Sequence, residues 1–354
     1  MRLPSLFAST VLLCAAVLAP SVFAPAQAAD RATWIWDSPS YAMVEDEAYA
    51  RDAIAFLKAR RIDTVYLYAD AFLDRNLLVS QPQQYRALIA RMRQNGLRVD
   101  ALLGASNLTL NELVRPAERQ AMLASLRTVL AYQASAAPHE RFDGIHLYTE
   151  PRLLADLSTR REDVLAQFLD LSHDLVEAKR ASGVDVALSA AIPFWFDEVT
   201  LDWQGKPRPV SEHLIDLYDS TVVTAYREQA EGPDGIIERA RDELNYAALH
   251  GKRVVVGVEV APNRMADATF DDNTEADLEG ALLATELANS SHPAFGGFAL
   301  HHLDAYLMWL VRQWMDAPTG EGTAAPTASS NDSAPATPPP GNGPSPMFAT
   351  PGLQ

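Results

Sequence analysis

The feature that most constrains the fold is a regular alternation, from Ala32 onward, of short β-branched or aromatic runs with longer amphipathic stretches. The runs predicted to form strands are Thr33–Trp36, Thr64–Ala69, Val99–Gly104, Gly144–Thr149, Val184–Ile192, Thr221–Tyr226, Arg253–Val260 and Gly297–His302. Eight strands separated by helices, with no break in composition, predict a single closed parallel barrel of the α/β class, a (β/α)8 barrel.

The stretches between these runs are predicted to be helices. They are Ala48–Ala59, Gln84–Asn95, Ala117–Ala134, Arg161–Ala181, a short one at Ser211–Tyr218, Gly235–His250 and Glu275–Asn289. An open doubly wound sheet is the alternative architecture. It is disfavoured because no Gly-x-Gly-x-x-Gly turn follows any predicted strand.

No cofactor is expected.

Two terminal segments differ from the barrel in composition. Residues 1–28 contain one cation (Arg2), an apolar run and a small-residue stretch, which is the order of a cleaved secretory signal peptide. Residues 317–354 are rich in Pro, Ala, Ser, Thr and Gly and are predicted to be a disordered tail, because they can bury too little apolar surface to offset their ordering entropy. The catalytic barrel is therefore predicted at residues 29–316, in a secreted or periplasmic protein.

The single cysteine, Cys14, lies inside the predicted signal segment, so the mature chain would contain no thiol. Disulfides, cysteine-ligated metals and thiol catalysis are thereby excluded. Lipid attachment at Cys14 is not expected, because Leu13 stands where a lipoprotein signal carries a small residue.

The net charge is −17 at pH 7, and loss of Arg2 with the signal would leave about −18. An acidic surface repels nucleic acid and anionic lipid and favours neutral or cationic partners. The apolar run near the N terminus is too short for a stable membrane span. We therefore expect no nucleic-acid partner and no membrane span. Alternatively, the acidic residues serve only to keep the protein soluble and attract no partner.

Alternation along the predicted strands separates an apolar face from a polar face. In the fourth strand, Ile145 and Leu147 should face the helices, whereas His146, Tyr148 and Glu150 should face the barrel interior. Other strands place further inward positions at Tyr66, Tyr68, Asp70, Tyr226, Gly257, Glu259, Ala299 and His301. A purely structural barrel would fill these layers with Val, Ile and Leu. The polar positions therefore predict an active site at the C-terminal ends of the strands.

Glu150 and Glu259 stand at corresponding points of the fourth and seventh predicted strands, which lie across the barrel mouth from each other. Cleavage of a glycosidic bond uses such a pair: one carboxylic acid protonates the leaving oxygen, and the other attacks the anomeric carbon or activates a water. Tyr226 is predicted to hydrogen-bond Glu259 and hold it in place. The alternatives are a surface or helix-capping role for Glu150 and a structural role for Glu259.

Other polar and aromatic side chains at strand ends are predicted to bind sugar hydroxyls or to pack against pyranose faces. They are Trp36, Asp37, Tyr68, Asp70, Asn107, His146, Tyr148, Trp195, His301 and Asp304. Trp34, Phe194, Phe196 and Trp203 are further aromatic candidates, with core packing as the alternative for the residues after the fifth strand. Trp309 and Trp314 follow helical spacing and are predicted to be core.

Four strand-end motifs resemble those of secreted barrel glycoside hydrolases. They are Asp143-Gly144-Ile145-His146-Leu147-Tyr148-Thr149-Glu150-Pro151, Ala225-Tyr226-Arg227, Gly257-Val258-Glu259 and Gly296-Gly297-Phe298-Ala299-Leu300-His301-His302. One branch carries its acid/base glutamate on strand four, often within Asn-Glu-Pro, and its nucleophile glutamate on strand seven. Thr149 replaces that Asn here. This resemblance implies roles for Glu150 as acid/base, Glu259 as nucleophile and Tyr226 as its support. It also implies a hydrolase that retains the anomeric configuration of a poly- or oligosaccharide.

The other branch is the chitinase-like family 18, whose fourth strand carries Asp-Gly-x-Asp-x-Asp-x-Glu. The chain matches that string at Asp143, Gly144 and Glu150, but His146 and Tyr148 stand where the inner aspartates belong. Loss of the acidic residue two positions before Glu150 weakens a substrate-assisted mechanism, because that residue orients the acetamido nucleophile. The expected partner in either branch is a carbohydrate, including polysaccharide of the cell envelope.

Two other functions remain open at this point. A metal-dependent hydrolase would draw its ligands from His146, His301, His302, Asp70 and Asp304, although no metal site is predicted. A catalytically silent carbohydrate-binding barrel would keep the aromatic residues without the chemistry.

Overall fold

The computed structural model describes residues 29–104, 114–149 and 159–316. Eight parallel strands close into a barrel in the order β1, β2, β3, β4, β5, β8, β9 and β10, with β10 pairing back to β1. Their bounds are β1 Arg31–Ile35, β2 Thr64–Tyr68, β3 Arg98–Gly104, β4 Gly144–Tyr148, β5 Ala187–Pro193, β8 Ser220–Thr224, β9 Arg253–Glu259 and β10 Phe295–His301. The predicted (β/α)8 barrel is confirmed. The predicted signal segment and tail lie outside the described residues.

Helices connect the strands and pack around the barrel. Their bounds are Asp37–Glu45, Glu47–Ala59, Leu77–Ser80, Pro82–Gln94, Arg119–Ser135, Arg161–Ser182, Val210–Leu217, Ile236–Arg239, Arg241–Leu249, Glu275–Asn289 and Leu303–Asp316. The single helix predicted at Gly235–His250 is wrong in one respect: it is two helices separated at Ala240. None of the helices in the described ranges has the length and apolar character needed to cross a membrane.

Two short strands interrupt the connection between β5 and β8. β6 (Thr200–Trp203) and β7 (Lys206–Pro209) form an antiparallel hairpin outside the barrel. Trp203 lies in this hairpin, where its indole N–H donates to Asp170 Oδ1 at 2.9 Å. This places Trp203 against the outer helix 161–182, in a structural contact.

The last helix, Leu303–Asp316, contains the two tryptophans that were predicted to be core. Trp309 is buried, and its indole N–H donates to the backbone oxygen of Asp271 at 3.1 Å. Trp314 is 68% exposed, so the prediction was wrong for this residue. The two residues are five positions apart in the helix, so their side chains point in directions that differ by more than a quarter turn. Only one of them therefore faces the barrel.

Aromatic rings close the centre of the barrel. Trp34 and His146 are both fully buried, and Tyr66 stacks on His146 with ring centroids 3.9 Å apart. The His146 Nδ1 atom lies 2.9 Å from Ser189 Oγ. Burial lowers the pKa of His146 to about 3, so its ring is neutral near neutral pH. This layer of rings separates the base of the barrel from its C-terminal mouth.

Candidate functional site

Residues from five strands meet at the C-terminal mouth. Trp36 follows β1, Tyr148 ends β4, Tyr226 follows β8, Glu259 ends β9 and His301 ends β10. The register places His301 opposite Glu259 and Ala299 opposite Gly257, so all four positions share the inward face. The predicted inward orientation of the ends of β9 and β10 is therefore confirmed.

The Glu259 carboxylate is held by three donors. The backbone N–H groups of Val260 and Ala261 donate to Oε1 at 2.9 and 2.8 Å. His301 Nδ1 lies 2.9 Å from Oε2. A carboxylate can only accept hydrogen bonds, so Nδ1 of His301 is the donor in this contact. Glu259 is 6% exposed, and hydrogen bonds to both of its carboxylate oxygens hold it in place.

Aromatic side chains surround the imidazole of His301. Tyr148 stacks on it with ring centroids 5.7 Å apart, and Tyr226 stacks on it at 5.9 Å. The ring of Trp36 meets both Tyr148 and His301 edge-on, at 5.0 and 5.9 Å. These rings fix the plane of the imidazole and form an aromatic wall beside Glu259. The hydrogen bond predicted between Tyr226 and Glu259 stays a prediction.

Two aspartates lie next to this wall in the chain. Asp37 is buried at the start of helix 37–45, directly after Trp36. Burial, with a smaller contribution from the charge of Asp37, raises the pKa of Asp304 to about 6. Burial, and then the charge of His301, lowers the pKa of His302 to about 3. The rim beside Trp36 therefore carries the buried Asp37 and an aspartate, Asp304, whose pKa is raised.

Some predicted sugar-binding residues lie elsewhere. His146 does face inward, but it lies in the buried layer below the mouth and contacts Ser189, so it is out of reach of a molecule bound at the mouth. Trp34 lies in the same layer and is core. Trp195 packs edge-on against Phe196, and the guanidinium of Arg161 lies 5.0 Å from its ring centroid.

The end of β2 is held by local hydrogen bonds. The Tyr68 hydroxyl donates to the backbone oxygen of Ala71 at 2.9 Å. Asp70 Oδ1 accepts from Ser125 Oγ at 2.8 Å and from the Ala71 N–H at 2.7 Å. Tyr68 and Asp70 thus anchor the loop after β2, and their sugar-binding roles stay predictions. Glu150 and Asn107 lie outside the described residues.

The bond from His301 to Glu259 and the two backbone amides on Oε1 were not predicted from the sequence, where His301 is a candidate ligand for the sugar. Backbone donors carry no residue-type signal, so no motif could have identified them. The only available signal for His301 was its inward position on the strand next to β9.

The structure also bears on the metal-dependent alternative. Within the described ranges, no three His, Cys, Asp or Glu side chains are grouped in a way that could hold a metal ion. His146 and His301, two of the suggested ligands, instead contact Ser189 and Glu259. The suggested ligand set is therefore not assembled among these residues.

Comparison with known proteins gives structural similarity only. No family profile matches the sequence, and no curated protein matches it. The exo-β-1,4-mannosidase Op5Man5 from Opitutaceae bacterium strain TAV5 superposes with a TM-score of 0.52 at 15% identity, covering 77% of this chain and 51% of that one.

Two chitinase structures are also similar. The chitinase from Chromobacterium violaceum has a TM-score of 0.47 at 13% identity, covering 82% of this chain and 99% of that one. The family 18 chitinase from Cycas revoluta, in complex with (GlcNAc)3, has a TM-score of 0.48 at 12% identity, covering 80% and 98%. The fold is a TIM barrel similar to those of glycoside hydrolases. Identities this low show the fold alone.

Proposed function

We propose that this protein is a glycoside hydrolase whose active site lies at the C-terminal mouth of the barrel. The observation that carries the proposal is Glu259, a nearly buried carboxylate fixed by three donors beside the aromatic wall of Trp36, Tyr148 and Tyr226. Aromatic faces bind pyranose rings, and a fixed carboxylate meets the need for a nucleophile or base at the anomeric centre. Barrel enzymes place their catalytic groups at this end of the strands.

Glu259 is the proposed nucleophile. A carboxylate has about four lone-pair directions, and three of them are occupied here, which leaves one on Oε2 for the anomeric carbon. Attack forms a glycosyl ester and breaks the bond to the leaving oxygen, which takes its proton from the acid/base group. Water then cleaves the ester, and the acid/base group recovers a proton from that water.

Glu150 is the proposed acid/base residue. Tyr148, two residues earlier in the chain, already contacts the ring of His301 at the mouth, which supports a role for the following residues there. Retention of anomeric configuration is proposed with this pair. The substrate is proposed to be a poly- or oligosaccharide, in keeping with the fold similarity to a mannosidase.

Product release from a panel of polysaccharides tests the proposal. Glu150→Gln and Glu259→Gln should each lower kcat/KM on the active substrate by about 10²–10⁴-fold, because each removes a group that transfers a proton or bonds to the sugar. Glu177→Gln, on the outer helix 161–182, is the matched control and should keep wild-type activity. Full activity of the Glu259 variant would exclude the proposed chemistry. An inverted anomer among the first products would exclude retention alone.

A catalytically silent carbohydrate-binding barrel is the second candidate. It is favoured by the fourth strand, where His146 and Tyr148 stand in place of the inner aspartates of the chitinase-like motif. Such a protein would bind a polysaccharide of the panel without releasing product.

Export is proposed from the composition of residues 1–28, with the mature barrel acting in the periplasm or outside the cell. N-terminal sequencing of protein recovered from the periplasm or the medium tests this. Recovered protein that still begins at Met1 would exclude cleavage of the signal segment.

A further inference from the structure

We propose a second binding site, at the N-terminal base of the barrel, for a neutral polyhydroxylated small molecule such as a monosaccharide or a cyclic polyol. The site is a cavity of about 380 Å³ at the opposite end of the strands from Glu259. Its existence does not depend on the proposed hydrolase activity. Its size falls within the range of small-molecule pockets.

Small side chains create this cavity. Ala32 on β1, Thr64 on β2, Ser189 on β5, Ser220 on β8 and Gly296 on β10 all line it. A barrel of this type normally fills its interior layers with Val, Ile and Leu. Five strands with small residues at the base leave a space that those bulky side chains would have occupied.

The ring layer above the cavity isolates it from the mouth. Trp34 and His146 are fully buried, and Tyr66 stacks on His146 at 3.9 Å. Trp34 in turn packs edge-on against His301 at the mouth, with ring centroids 5.4 Å apart. A molecule in the base cavity therefore cannot touch Glu259.

The side chain of Tyr66 lines the cavity and is 4% exposed. Water in the open cavity can satisfy its hydroxyl, and a ligand hydroxyl that donates to it or accepts from it can take the place of that water. Ser189 Oγ, fixed at 2.9 Å from His146 Nδ1, lines the same space.

A charged pair lines the same cavity. Arg98 Nε lies 3.0 Å from Asp100 Oδ1, and Asp100 is 5% exposed. A Cβ atom on Gly144 would lie 2.7 Å from Asp100 Oδ2 and 2.8 Å from Arg98 Nη2, so this pair packs directly against Gly144. The pair presents a carboxylate and a guanidinium side by side, which is an arrangement suited to vicinal hydroxyl groups that both donate and accept.

The charge of the lining argues for a neutral ligand. Arg98 is paired with Asp100, and Arg253 Nη2 lies 3.8 Å from Asp30 Oδ2 at the rim. Asp219 also lines the cavity and accepts the Leu188 N–H at 2.7 Å. With three carboxylates against two guanidinium groups, the lining carries a small negative excess, so an anion gains no attraction here. A neutral ligand meets a lining in which most charges are already paired.

Isothermal titration of the full chain with D-glucose, N-acetyl-D-glucosamine, D-mannose and myo-inositol tests the site. At least one of them should bind saturably. Tyr66→Phe keeps the ring stacked on His146 but removes the hydroxyl, and should weaken binding about threefold to tenfold. Ala32→Leu should abolish binding by filling the cavity. Glu177→Gln, on the outer helix 161–182, should leave the affinity unchanged.

Several outcomes would overturn the site. They are no saturable binding of any probe, full binding by the Ala32→Leu variant, loss of binding in Glu177→Gln, and tighter binding of inorganic phosphate than of the sugars. Circular dichroism checks that each variant folds, and Tyr66→Phe decides the matter if Ala32→Leu does not. Weaker sugar binding in Tyr66→Phe with unchanged hydrolysis separates this site from the proposed active site.

Discussion

The three donors to Glu259 differ in how they reach the carboxylate. Two are backbone N–H groups of the next residues in the chain, so they accompany Glu259 wherever β9 ends in this way. The third is the imidazole of His301, which belongs to the neighbouring strand β10. Hydrogen bonds to charged groups are among the stronger ones in proteins. We therefore regard His301 as a positioning residue for Glu259.

Substitution of His301 tests this role. His301→Ala should lower kcat/KM about 10–100-fold, because it removes one hydrogen bond to a charged group. His301→Asn should recover part of that loss, since its amide N–H can stand near the former Nδ1 position. Steady-state kinetics on the substrate found in the polysaccharide panel provides the measurement, with His173→Ala on the outer helix 161–182 as the control. Equal activity of the Ala and Asn variants would argue against positioning through this hydrogen bond.

At the scale of elements, the end of β3 is tightly packed against the end of β4. Gly104 pairs with Tyr148 in the register of these strands. It has a φ of +127°, and a Cβ atom built there would lie 1.9 Å from the backbone oxygen of Tyr148. Only glycine permits both the backbone conformation and the approach. The position of Tyr148 in the aromatic wall therefore depends on a glycine of the adjacent strand.

A pair of glycine substitutions tests this dependence. Gly104→Ala should lower the free energy of unfolding by about 3 kcal/mol or more, because both strain and a backbone clash result. Gly280→Ala, within helix 275–289 where an added Cβ meets no atom within 4 Å, should raise it by about 0.5–1 kcal/mol. Urea denaturation measures both. A Gly104→Ala protein as stable as wild type would show that the two strand ends are not so closely packed.

The elements that escaped prediction have identifiable causes. Helix 37–45 begins Asp37-Ser38-Pro39-Ser40, a composition typical of a turn. Proline is tolerated in the first turn of a helix, so the same residues also suit a helix start, and packing decided between them. The eight barrel strands were predicted more accurately, since each is a short run rich in β-branched or aromatic residues.

For the whole molecule, buried titratable groups link stability to pH. The pKa of His146 falls from 6.5 to about 3 on burial, so between these pH values the unfolded chain binds a proton that the folded chain does not. Stability from this group is therefore present above pH 6.5 and is lost as the pH falls towards 3. Asp100 acts in the opposite sense between about pH 4 and pH 6, because burial raises its pKa to about 6.

The pH dependence of unfolding tests the contribution of His146. Between pH 6 and pH 4, His146→Gln should show a shallower loss of unfolding free energy than wild type, by up to about 1.4 kcal/mol per pH unit. His139→Gln, at an exposed surface position, should keep the wild-type slope. Urea unfolding across this pH range measures the difference. Parallel curves for wild type and His146→Gln would mean that His146 does not contribute to acid sensitivity.

The sequence by itself determined the (β/α)8 architecture and the inward face of β9 and β10. These follow from alternation that is local to each strand and repeated around the barrel, so an error in one element does not change the result. Only the tertiary structure decided that His301 bonds Glu259, that His146 bonds Ser189 in a ring layer, and that small residues leave a cavity at the base. Each of these depends on strand register and side-chain rotamers between residues far apart in the chain, and no local pattern records them.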